Sequence, residues 1–181
     1  VFGHTVFSVS VVLAAFMAGL GLGSYLFGYA VDLLPEADGN DPSSAGQTPS
    51  ALLLYGWIEI LICVSGVLLS FLFANFSGIY GSLHSFIPES PALQNLIKVV
   101  FSFGLMLIPA TFMGATLPII SKYCVTDDSR IGTQVSLLYA INTLGAALGC
   151  LISGFFLMGT FGVLQTVLLA AGANLLIGIG A

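Results

Sequence analysis

Residues 137–154, LLYAINTLGAALGCLISG, constrain the chain more than any other stretch. They are apolar enough to lie in lipid, where a spanning backbone satisfies its own N–H and C=O groups only as a helix or a closed barrel. Yet Tyr139, Asn142 and Thr143 stand close together within them. An amide left without a partner in hydrocarbon costs on the order of 2–7 kcal/mol. Gly145 and Gly149 follow, with Ser153 one further step along. Small residues four apart leave a flat helix face that a second backbone can approach closely. The segment therefore reads as a central helix of a membrane bundle, with a groove and a polar contact point.

Composition supports this class. Of 181 residues, 57% are hydrophobic and only 6% are charged, against about 25% charged in soluble domains. A soluble protein of this size could not cover its surface with so few charges, so the chain reads as integral to a membrane. The lipid bilayer is its first partner. The net charge is −5, and the bases Lys98, Lys122 and Arg130 are scattered. Nucleic acid is thereby excluded, because phosphate binding needs clustered Lys and Arg. The apolar runs are too long for barrel strands and lack period-two alternation. The chain opens on Val1 with no basic segment before its first apolar run, which marks it as a fragment or a processed chain rather than one with a signal peptide.

Five runs approach the roughly 20 apolar residues that a helix needs to cross a bilayer. They cover residues 5–27 (or on to Leu33), 51–74, 96–120 and 133–158, then a fifth run that follows a tight turn at 159–162 and ends at Ala181. The predicted fold is a single all-α integral membrane domain over residues 1–181, with five transmembrane helices. Loops at 35–50 and 121–132 share one face, and the loop at 75–95 lies on the other. Lys122 and Arg130 against Lys98 place the first and third loops in the cytoplasm.

Most candidate chemistry yields to packing. GLGLGS, with Gly19, Gly21 and Gly23, follows no strand and so lacks the context of a phosphate loop. Gly19 and Gly23 instead predict a helix-packing face, to be used with Gly145 and Gly149 or with partner chains. Pro109 and Pro118 each remove a backbone donor from the third run and predict a kink or hinge. His4 and His84 lack any accompanying ligand pattern, and Cys63, Cys124 and Cys150 lack metal spacing. No catalytic constellation, metal set or cofactor loop occurs.

Glu59 differs. A carboxylate inside a span costs about 2.5–3.5 kcal/mol and marks a functional or helix-tying position. Tyr55, one turn back, is its nearest candidate partner. Glu59, Asn142 and Asn174 each sit roughly 10–14 Å below the same surface, at about 1.5 Å per residue. They predict one polar layer, Tyr55, Glu59, Asn142 and Asn174.

Several stretches carry a family resemblance. FGHTVFSVSVVLAAFMAGLGLGSYLFG, LLLYGWIEI, PATFMGATLPIISK, LLYAINTLGAALGCLISGFFLMGTFG and AAGANLLIG resemble, in the same order, the membrane half of the spermidine synthase-like membrane proteins. In those, a major-facilitator-like helical module is fused to an aminopropyltransferase-like soluble domain. The resemblance implies that the five helices correspond to helices two to six of a facilitator-like half. It implies a helix before Val1, and any soluble domain after Ala181. GLGLGSYLFGYAVD resembles the facilitator signature, although LLPEADG follows Asp32 where that signature carries a base. Three functions follow as expectations: a transporter-like module for a small solute, such as a polyamine cation; a scaffold or accessory subunit of a larger membrane complex; or the anchor of a synthase-like enzyme. Aminopropyl transfer is expected only with a soluble domain attached. The resemblance places the chain in a bacterial inner membrane, beside other chains or a missing part of its own.

Overall fold

The computed structural model describes residues 2–33, 49–75, 78, 90–125 and 130–181. Residues 35–48 of the first loop, His84, Glu89, Asp127 and Asp128 lie outside these residues, as does the side chain of His4. The described residues are helical, with no strand among them. They form α1 (Phe2–Asp32), α2 (Pro49–Ala74), α3 (Pro91–Cys124), α4 (Ile131–Ile152), a π-helical segment (Ser153–Leu157) and α5 (Met158–Gly180). Both α2 and α3 open on proline, whose ring presets φ for the first helical turn and whose missing N–H costs nothing there.

Four described stretches are long and apolar enough to cross a membrane: Val6–Asp32, Ser50–Ala74, Leu93–Cys124 and Ile131–Gly180. The last runs through α4, the π-helical segment and α5. The turn expected at 159–162 is a backbone break at Gly162, where φ is 79° and ψ is 172°. Those angles are open to glycine and strained for other residues. Large apolar side chains such as Leu53, Phe71, Val100 and Leu176 point outward along the helices. A surface of that kind suits lipid rather than water.

The helices pack in the order α1, α3, α2, α5. Val31 of α1, Ile58 and Ile62 of α2, and Ala115 and Ile119 of α3 form the shared core, flanked by Phe27, Leu54, Tyr55 and Phe112. α3 is thus the central helix. α4 touches α3 only lightly, connects to α5 through the π-helical segment, and buries no residue of its own.

The α1–α3 contact rests on small residues. A Cβ at Gly23 would strike the Thr111 carbonyl, one at Gly19 would strike the Ala110 Cβ, and one at Gly114 would strike the Leu20 carbonyl. Gly19 and Gly23 on one helix face Ala110 and Gly114 on the other, at matching four-residue spacing. The face of Gly19 and Gly23 is therefore taken by α3 and not by Gly145 and Gly149, because α3 offers the reciprocal small residues.

One hydrogen bond locks the pair. Pro118 has no N–H to give to the carbonyl of Gly114, four residues earlier in the helix. Ser24 Oγ of α1 donates to that carbonyl at 2.9 Å. A neighbouring hydroxyl thus satisfies the group the proline freed, which makes a proline tolerable in a membrane helix. Ser24→Ala should cost about 0.5–1.5 kcal/mol in reversible unfolding in detergent micelles. In a Pro118→Ala background, where residue 118 regains its N–H, the same substitution should cost far less. Equal costs in the two backgrounds would contradict this account.

Candidate functional site

The acid at Glu59 lies where α2 and α5 cross. A Cβ added at Gly56 would sit 2.7 Å from the Gly178 carbonyl, and one at Gly178 would sit 2.8 Å from the Gly56 carbonyl. The two backbones are nearly in contact. The same Cβ at Gly178 would lie 3.3 Å from the Glu59 Cβ and 2.8 Å from Ile60 Cγ1. Glu59 is 6% exposed, the most hidden charged side chain among the described residues. Its partner comes from its own helix: Tyr55, one turn earlier, donates its hydroxyl to the Glu59 carboxyl group. A carboxyl oxygen is thereby satisfied without water, which a group in hydrocarbon requires.

Asn174 stands four residues before Gly178 on α5, hence on the same helix face, and is partly buried. Tyr55 and Glu59 form a bonded pair at the crossing, and Asn174 stands one turn from it on the facing helix. Asn142 does not join it. It lies on α4, exposed, as do Tyr139 and Thr143. Of the expected four-member layer the structure bonds Tyr55 and Glu59, and Asn142 stands apart because its helix is not packed against α2. Thr143 Oγ1 donates to the Tyr139 carbonyl of its own helix at 2.8 Å. Gly145 and Gly149 have open space where a Cβ would stand.

Sequence reasoning missed Gly56, Gly178, Gly114 and Ser24. For Gly114 a signal existed, since every proline frees the carbonyl four residues before it. For Gly56 and Gly178, spacing gave only their closeness to Glu59 and Asn174. Gln134 at the start of α4 was also missed; its buried Oε1 has no hydrogen-bond partner among the described residues.

The site's donors do not assemble a metal centre: no group of three His, Cys, Asp or Glu among the described residues could hold an ion. Cys63, Cys124 and Cys150 are free thiols. The arrangement can accept and donate hydrogen bonds inside lipid and hold two helices at a set crossing. No protein-family model, curated protein or solved structure matches the chain.

Gly178→Leu should destabilise the fold by about 1–3 kcal/mol through overpacking of the crossing. Glu59→Gln should be close to silent in the same detergent unfolding assay, since the amide oxygen still accepts from Tyr55. A loss of stability in Glu59→Gln as large as in Gly178→Leu would show that the charge itself holds the junction.

Proposed function

We propose that the chain is an integral membrane module of five spans, transporter-like in architecture, that becomes complete only when further transmembrane helices cover α4. The observation that carries this reading is α4 itself. Every residue of α4 but Gln134 and Leu138 is exposed, Asn142 included, and Gly145 and Gly149 border open space. In hydrocarbon an amide beside a small-residue groove is a helix-association face. The resemblance to helices two to six of a facilitator-like half, in the spermidine synthase-like membrane proteins, leads to the same reading. The setting is a bacterial inner membrane, with loops one and three in the cytoplasm.

The five-span count rests on length. The stretch Ile131–Gly180 holds 50 residues, about 75 Å if straight, against roughly 30 Å of hydrocarbon. The break at Gly162 divides it into two pieces, each long enough to approach one crossing. Within the module Glu59 is sealed in rather than open to a solute, since its hydrogen bond to Tyr55 and the close backbones at Gly56 and Gly178 occupy its surroundings. A small cationic solute such as a polyamine would be handled where this module meets its covering helices. Aminopropyl transfer would require an attached soluble domain.

Two measurements test this. Cysteines placed at Asp128 and Ala181 should label from the same side of sealed inverted vesicles; opposite sides would mean a single crossing between them. A photo-cross-linking residue at position 142 should yield protein–protein adducts in native membranes. Adducts to lipid alone would sink the module reading.

A further inference from the structure

The α1–α3 pair carries a second feature, at the end of the bundle away from Glu59. A groove of about 280 Å³ runs between the two helices, with walls that include Phe7, Val11, Val12, Lys98, Ser102 and Met106. Lys98, Ser102 and Met106 are four residues apart and share one face of α3. They descend over about 12 Å from an ammonium through a hydroxyl to a thioether. The opposing α1 wall is Phe7, Ser8, Val11 and Val12, and Phe73 of α2 adds to the lining. Along the α3 wall polarity falls from Lys98 to Met106.

The level of Lys98 follows from the sequence of α3. Residues 99–121, between Lys98 and Lys122, contain no charge. That stretch is roughly 35 Å long, close to the hydrocarbon thickness of about 30 Å. In the membrane reading above, the two lysines thus bracket the hydrocarbon, one near each headgroup layer. Lys98 stands at the mouth of the groove and Met106 lies within the acyl region. A second groove of about 360 Å³ shares Phe7, Val11 and Val99 but has no lysine.

We infer that the Lys98 groove is a binding site for one anionic phospholipid. The inference rests on the membrane reading above. The lipid's own gradient matches that of the groove: phosphate at the Lys98 ammonium, glycerol ester at the Ser102 hydroxyl, acyl chain along Phe7, Val11, Val12 and Met106. An ammonium has three donors, so it takes a phosphate oxygen in addition to any other bond it makes. Basic pockets between membrane helices recognise such headgroups on the cytoplasmic side; with loops one and three in the cytoplasm, the Lys98 groove would take its lipid from the opposite leaflet. The neighbouring groove, lacking a base, accepts an acyl chain without choosing its headgroup.

The full chain, purified in mild detergent, should be titrated with phosphatidylglycerol and with phosphatidylcholine of identical acyl chains, and bound lipid counted by native mass spectrometry. Phosphatidylglycerol should bind about five-fold tighter, the ratio expected for one interfacial lysine. Lys98→Gln should abolish that preference, while Lys122→Gln, at the opposite headgroup layer, should keep it. Val11→Phe, which fills the groove, should weaken both lipids; the lysine pair decides the matter even if that variant does not fold. Equal affinity for the two lipids, or equal loss in Lys98→Gln and Lys122→Gln, would overturn the site. Extraction of the chain from vesicles by alkaline carbonate would instead overturn the membrane reading on which it rests.

Discussion

The fold depends on the carbonyl of Gly114. In hydrocarbon every backbone acceptor needs a donor, and Pro118 withdraws the one that Gly114 would otherwise receive. Ser24 can supply it only because Gly19, Gly23 and Gly114 allow α1 and α3 to come within backbone contact. The hydrogen bond and the small-residue contact are therefore one device. Each is possible because of the other, and together they set α3 against α1. The position of α3 then decides where α2 can lie, since Ala115 and Ile119 form the wall on which Ile58 and Ile62 rest.

The close glycine approach recurs at the other edge, without an interhelical bond among the described residues. Gly56 and Gly178 bring α2 and α5 together, and a polar group, Glu59, is sealed beside the crossing. Helices in lipid gain little from hiding apolar surface, because the acyl chains are as apolar as leucine. Close packing and interhelical polar contacts must supply the association. The α1–α3 contact supplies both, a glycine approach and the Ser24 bond, whereas the α2–α5 contact rests on its glycine approach, with the polar bond kept inside α2. α4 has the ingredients, Asn142 with Gly145 and Gly149, but no described helix uses them. The chain thus carries two satisfied faces and one open face built from the same residue types.

Part of the site was legible in the sequence. A lone carboxylate in an apolar run at position 59 and a tyrosine one turn earlier identify Glu59 and Tyr55 as a pair, and the structure bonds them. A constant rise per residue gave Glu59 and Asn142 a similar expected depth, but it said nothing of azimuth. The two stand on helices that do not pack together. Gly19 and Gly23 were readable as a contact face, but their partners proved to be Ala110, Thr111 and Ala115 of α3.

The sequence by itself determined that the chain is helical and suited to lipid. Those properties follow from local causes: backbone groups satisfied within each segment, apolar length and scarcity of charge. It also placed the break near Gly162, where only glycine takes the required backbone angles without strain. The tertiary structure alone decided which faces meet. In water an apolar stripe marks the inward side of a helix. Here every side is apolar, and GLGLG, MGATLP and NTLGAALG offer small-residue faces of similar kind. Only the three-dimensional fit of α1 on α3 and of α2 on α5 distinguishes the faces that are filled from the one on α4 that is left open.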